Sequence, residues 1–156
     1  MTRKTYALLN FSTSISVEKT VGEIEIGLAK AGADAIMKEY DGVGNIVAVS
    51  FRIKTPDGHL PFKLPMNVLA IQQVLKNQHK AGKIDNRFTD LDQARRVGWR
   101  IIKDWVEAQL AIIETTMVCI EQVFLPYATG HDGRTFYEHY LKNRSEFMLE
   151  SKEEKQ

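Results

Sequence analysis

The hydrophobic pattern of the chain is strongest between residues 90 and 124, where apolar side chains recur at alternating steps of three and four. One stripe consists of Ile101, Trp105, Ala108 and Ile112, and a second of Ile102, Val106, Leu110, Ile113, Met117, Ile120 and Phe124. Asp90 with Gln93 matches a capping box, and Pro126 stops helical structure just after the second stripe ends. The pattern predicts one long helix with a wide apolar face over residues 90–124.

The rest of the chain predicts a sheet and three shorter helices. Runs of strand-forming residues bounded by turn residues predict strands at 4–11, 34–40, 45–54 and 59–64, and helical spacing predicts helices at 17–31, 66–80 and 136–141. In the third of these strands Val47, Val49, Phe51 and Ile53 face one way, which is typical of an antiparallel sheet with one buried face. Pro61 places the last strand at a sheet edge.

We therefore expect an α+β fold, with an antiparallel three- to four-stranded sheet packed by helices, one long C-terminal helix and a short terminal helix. A chain of 156 residues suits one core, so residues 1–144 are expected to form a single domain and the charged residues 145–156 a disordered tail. The order of elements over 17–80 resembles the topology of a double-stranded-RNA-binding domain. The second helix, however, opens with Met66-Asn-Val-Leu instead of the clustered lysines that such domains use to grip phosphates.

The length of the predicted helix raises the question of assembly. About 35 residues at about 1.5 Å each span roughly 50 Å, whereas a compact chain of this size has a diameter of roughly 40 Å. Basic residues near the start of the helix and acidic residues towards its end share one polar stripe, so two copies laid antiparallel would pair opposite charges. We expect a homodimer with an interface at Trp99, Lys103, Glu107, Glu114 and Glu121.

Charge is distributed unevenly, although the net charge is only +1. Residues 1–75 carry 8 basic and 7 acidic side chains, residues 76–103 carry 8 and 3, and residues 104–156 carry 5 and 10. Neither an apolar run of signal-peptide length nor a membrane span is present in the sequence, and the single cysteine fits a reducing compartment. We expect a cytoplasmic protein that does not enter a membrane and whose basic middle meets an anionic partner or a second copy.

The basic middle predicts nucleic-acid binding. If the two helices that flank it form a hairpin, its cationic side chains converge at one end of the molecule and can neutralise several phosphates without reading sequence. The candidate phosphate-contacting residues are Lys76, Lys80, Lys83, Arg87, Arg95, Arg96 and Arg100. The partner is expected to be DNA or RNA.

Sequence motifs of enzymes are absent. The chain has no GxxxxGK[ST], GxSxG, HExxH or GxGxxG pattern. Cys119 falls within the apolar face of the predicted helix, where a buried thiol is inert, and the His131, Asp132, Glu138 and His139 cluster lacks a second set of ligands to complete a metal site. We expect a non-enzymatic binding protein without a cofactor or a metal.

Two stretches together suggest a biological setting. The segments MKEYDGVGNIVAVSFRIKTPDGHLPFKLPMN and VGWRIIKDWVEAQLAIIETTMVCIEQVFLPYA resemble those of small uncharacterised proteins from bacteriophages and other mobile elements, over about residues 13–140. The resemblance implies no activity and no site residue. It implies a phage-encoded protein that works in the host cytoplasm, where such proteins handle nucleic acid or, as an alternative function here, bind and inhibit a host protein of defence or transcription.

Overall fold

The computed structural model describes residues 6–149 and has the predicted α+β fold. The elements in chain order are α1 (Val17–Lys30), β1 (Ala33–Tyr40), β2 (Ile46–Thr55), β3 (Gly58–Lys63), α2 (Val68–Lys80), α3 (Leu91–Glu114), α4 (Ile120–Phe124) and α5 (Phe136–Lys142). Short 3-10 turns occur at Asn86–Phe88, Leu125–Tyr127 and Arg144–Phe147. Ser16, Asn67, Asp90 and Thr135 cap α1, α2, α3 and α5 through side-chain oxygens that accept backbone N–H groups of the first turn.

The sheet is an antiparallel meander in the order β1-β2-β3. Val49, Phe51 and Ile53 point towards the helices and are buried, as the alternation in the sequence predicts. The prediction for Val47 is wrong, because the β1–β2 register shifts between Glu39 and Tyr40, and the irregularity turns Val47 outwards and brings Ile46 inwards.

The main core lies between the sheet and the helices α1, α3 and α4. Phe51 stacks on Phe62 at 5.0 Å between ring centres, and Phe124 of α4 meets Phe51 edge-on at 5.3 Å. Trp99 of α3 is fully buried, and its indole N–H points at the carbonyl oxygen of Ile46 3.4 Å away. These contacts fix α3 across the sheet with its first half inside the molecule.

A second, smaller core joins α2 to the start of α3. Leu75 and Ile84 pack there against Ala94 and Val97, and Phe11 and Phe88 close the cluster edge-to-face. The helix hairpin expected from the sequence is therefore present, with residues 81–90 as its connection.

The N-terminal segment is not a strand, contrary to the prediction for 4–11. Residues 4 and 5 lie outside the described residues; residues 6–8 have no regular structure and residues 9–12 form turns, and Leu8 and Phe11 pack on the second core. Their backbone is bonded by side-chain amides: Gln78 accepts from the N–H of Leu8 and donates to the carbonyl of Tyr6. A neighbouring strand is unnecessary because glutamines on α2 and α3 supply the same donors and acceptors.

The long helix ends at Glu114 and not at Phe124. Thr115 occupies the C-cap position, and Thr116 adopts a positive φ of 63°, which breaks the helical path. The chain turns, and a new helix, α4, starts at Ile120; its N-cap is Cys119, whose N–H donates to the side chain of Gln122. The resulting α3 has 24 residues and a length of roughly 36 Å at about 1.5 Å per residue.

The end of the chain is partly described. The first residues of the predicted tail 145–156 lie in a 3-10 turn over Arg144–Phe147, and residues 150–156 lie outside the described residues. Within 6–149, no helix is both long and apolar enough to cross a membrane.

Candidate nucleic-acid interface

Four of the predicted phosphate-contacting residues, Lys76, Lys80, Lys83 and Arg87, form what we call the exposed basic cluster. They occupy the last turns of α2 and the connection to α3, and all four are exposed. Lys76 and Lys80 are one helical turn apart and therefore share a face of α2. The hairpin brings the connection alongside that helix end, since His79 bonds to the carbonyl of Ile84 and Gln72 to that of Thr89.

The surroundings of the exposed basic cluster are poor in negative charge. No acidic residue occurs in the sequence from 58 to 84. Asp85 lies 3.7 Å from the Arg87 guanidinium, but both side chains are about three-quarters exposed, so water screens this pair strongly. Arg87 also lies over the ring of Phe88 at 4.6 Å. The cluster thus presents an exposed positive surface with one aromatic ring at its margin.

The other predicted basic residues form a second group, which we call the paired basic group: Arg95, Arg96, Arg100 and Lys103. Arg95 bonds to Asp92 at 2.6 Å, and Arg96 bonds to the side-chain oxygen of Gln93. Arg100 donates to Glu23 of α1 at 2.8 Å, and its side chain is only 15% exposed. The basic side chains in the first turns of α3 are therefore bonded within the chain, Arg95 and Arg100 to carboxylates and Arg96 to an amide, and the structure divides the predicted patch in two.

The ion pairs between α1 and α3 also shift a titration. The guanidinium of Arg100, which donates to the Glu23 carboxylate, holds the pKa of Glu23 below its ordinary value. Lys103 lies 3.7 Å from the same carboxylate and 2.8 Å from Glu107. These ion pairs connect α1 to α3 and stabilise their packing.

These contacts correct the predicted dimer interface. Trp99 cannot lie in an interface because it is fully buried within its own chain. Lys103 is 14% exposed and already paired with two glutamates, so the basic half of the expected antiparallel contact is not free. Glu107, Glu114 and Glu121 are exposed, as that prediction required.

A small cavity beside the paired basic group does not make a simple anion site. Arg95 and Arg96 both line it, and its volume is about 150 Å³. Asp92 and Glu18 line it as well, so opposite charges are balanced at its wall. The positive field of this region is weaker than its arginine content suggests.

The cluster near the C-terminus forms a single ion pair. His139 lies 3.2 Å from Asp132, and the backbone N–H of Arg134, followed by His139, lowers the pKa of Asp132. No group of three or more His, Cys, Asp or Glu side chains within 6–149 is arranged to hold a metal ion. Cys119 is exposed and not buried as expected, because the helix that was predicted to bury it stops five residues earlier.

Sequence reasoning missed one surface that the structure exposes. The residues of α5 and the following turn read as an ordinary amphipathic helix, yet Phe136, Tyr137, Leu141 and Phe147 are largely exposed. The spacing predicts a helix but does not say whether another element covers its apolar side.

Comparison of the chain with protein-family models, curated proteins and solved structures finds no match.

Proposed function

We propose that the protein binds nucleic acid without sequence preference, through the exposed basic cluster Lys76, Lys80, Lys83 and Arg87. The observation that carries the proposal is the presence of four exposed cationic side chains at one end of the α2–α3 hairpin, three of which, Lys76, Lys80 and Lys83, lie in the stretch from 58 to 84 that has no acidic residue. Phosphates along a strand would contact these exposed side chains, and counterion release would drive binding.

The proposal narrows the site expected from the sequence. Arg95, Arg96 and Arg100 bond to side chains of their own chain, so they contribute to the fold before they contribute to a partner. Base-specific contacts need side chains aimed at base edges or aromatic platforms. The cluster offers mainly phosphate-contacting groups, which suits binding of many sequences.

The test is the salt dependence of affinity, measured by fluorescence anisotropy with labelled duplex DNA, single-stranded DNA and duplex RNA. Each lost phosphate contact should reduce the slope of log affinity against log salt by about one. Lys76→Ala and Lys80→Ala are therefore expected to weaken binding to all sequences and to flatten the slope. Lys19→Ala, an exposed lysine on α1, is the matched control and should leave the slope unchanged.

The Arg100→Ala variant distinguishes a residue that stabilises the fold from one that contacts nucleic acid. Because Arg100 pairs with Glu23, the variant should lose thermal stability while its salt slope stays near that of the unmodified chain. Absence of binding to all three probes at low salt, or equal slopes for the cluster variants and the Lys19→Ala control, contradicts the proposal.

A phage origin belongs to both candidate functions, and the alternative to nucleic-acid binding is the binding and inhibition of a host protein. The exposed apolar side chains of α5 and the turn after it favour a protein contact. A host protein retained after nuclease treatment, and lost when Leu141 is replaced by a charged residue, would support this alternative over nucleic-acid binding.

A further inference from the structure

We propose that two copies of the chain dimerise by exchanging the C-terminal arm, residues 136–149, so that each arm lies in an apolar trough of the other copy. This dimer replaces the antiparallel α3 pairing expected from the sequence. It is independent of the proposed nucleic-acid site, which lies on α2 and its connection to α3.

The trough lies where α1 and α3 end. Two open cavities of about 480 and 430 Å³ adjoin there, and Ala31 and Ile113 line both. Leu110, Met117 and Ile120 supply much of the remaining apolar lining. Each cavity falls in the size range of roughly 300 to 1,000 Å³ in which proteins bind ligand groups. Residues 116–120 and 122, which follow the end of α3, line the second cavity together with Ala31 and Ile113.

The arm is apolar and poorly covered. Phe136 is 47% exposed, Leu141 45% and Phe147 60%. Its rings mainly contact one another, with Tyr140 between Tyr137 and Phe147, and the helix rests chiefly on Leu125–Tyr127. Contiguous exposed apolar groups of this kind mark interaction surfaces.

Charge identifies the arm of a second copy as the occupant of the trough. Glu107 and Glu114 border the trough; Glu107 is paired with Lys103 of its own helix, whereas Glu114 has no ion-pair partner among the described residues. At the end of α5, Lys142 and Arg144 likewise form no ion pair within 6–149. Opposite charges thus flank a concave and a convex apolar surface.

Other charged groups near the two surfaces do not remove the charge complementarity between the trough and the arm. Lys30 also borders the trough, and the arm carries two acidic residues, Glu138 and Glu146. Glu138 is engaged by the N–H of Thr135 in the helix cap. Because one chain carries both surfaces, a two-fold axis lets each copy cover the arm of the other.

The single cysteine provides a direct test, since Cys119 lines the trough. A chain with Cys119→Ser and Leu141→Cys is mixed with the unmodified chain and mildly oxidised; a second chain carries Phe147→Cys instead. A disulfide in either mixture can join only two copies. Cys119→Ser with Val43→Cys, which is on the exposed turn after β1, is the matched control and should not cross-link.

Light scattering supplies the second measurement. The unmodified protein at tens of micromolar should have twice the mass of one 17.8 kDa chain. Glu107→Lys with Glu114→Lys should reduce it to a single chain, as should Lys142→Glu with Arg144→Glu in another preparation. Mixing the two variants should restore dimers, because in a mixed dimer the basic arm meets the acidic trough and the acidic arm meets the basic trough, so both contacts are complementary.

Three outcomes overturn the proposal. The first is a monomer at every concentration tested. The second is a monomer in which Leu141→Cys forms a disulfide with Cys119 of its own chain, which places the arm in its own trough. The third is a dimer that neither cross-links through Cys119 nor responds to the charge reversals, which places the interface elsewhere.

Discussion

Replacing Gln93 with methionine is expected to detach the N-terminal segment from α3 and to destabilise the protein. The side chain is 4% exposed and makes four hydrogen bonds. Its amide N–H groups donate to the carbonyls of Phe11 at 2.8 Å and Thr13 at 3.0 Å. Its oxygen accepts from two nitrogens of Arg96. Methionine preserves the length of the side chain but satisfies none of these groups.

The size of the effect follows from how these partners are solvated. A neutral hydrogen bond contributes about 0.5 to 1.5 kcal/mol, and one to a charged group about 1.5 to 3 kcal/mol. Phe11, Thr13 and Arg96 are only partly buried, so water recovers part of the loss. We expect a decrease of about 2 to 3 kcal/mol in the free energy of unfolding, or roughly 4 to 12 °C in melting temperature for a chain of this size.

Urea unfolding followed by circular dichroism measures the change, and hydrogen exchange at residues 8–15 locates it. Gln73→Met is the matched control, because Gln73 is exposed on α2 and bonds only to Asn77. Its effect should stay within about 0.5 kcal/mol. Equal unfolding midpoints for the two variants, or unchanged exchange in the N-terminal segment, would refute the view that Gln93 anchors that segment.

Four further predictions concern backbone and charge. A Cβ at Gly22 meets nothing within 4 Å, so Gly22→Ala should stabilise by about 0.5 to 1 kcal/mol. At Gly98 a Cβ would lie 2.5 Å from Met66, so Gly98→Val should destabilise by about 1 to 3 kcal/mol in the same urea assay. Thr116→Gly should raise the melting temperature, because a β-branched residue is strained at φ 63°. The lowered folded pKa of Glu23 means that its contribution is present above the ordinary value of 4.5 and is lost as pH falls through the folded pKa. Glu23→Gln should therefore reduce the difference between urea midpoints at pH 7 and pH 3.

Local patterns in the sequence were sufficient for most elements of the fold. The meander, α1 and α2 follow from turn residues and apolar spacing, and Asp90 caps α3 as the sequence indicates. The N-terminal segment was mispredicted because strand formers such as Leu8 and Phe11 fill a helical core equally well. Their backbone partners are glutamine side chains about 70 to 80 positions away, which local patterns do not reveal.

The basic region shows a second limit of such reasoning. Counting charges predicts one patch over 76–103, but it does not show that Glu23 of α1 lies against Arg100. An ion pair between distant segments depends on how α1 and α3 cross, and that crossing is set by packing. Charge content therefore predicts a positive surface, whereas packing decides which of its members remain available to a partner.

The break after Glu114 changes the argument for self-association. An uninterrupted helix would have exceeded the width of the molecule, but α3 at roughly 36 Å fits within a compact chain of about 40 Å. Helix length is thus no reason for a dimer. The apolar residues that would have extended its stripe, Met117 and Ile120, instead line the trough beside Ile113. The apolar surface persists although the helix does not. Because acidic side chains remain at its border and basic ones on the exposed arm, the case for a second copy now depends on that concave surface.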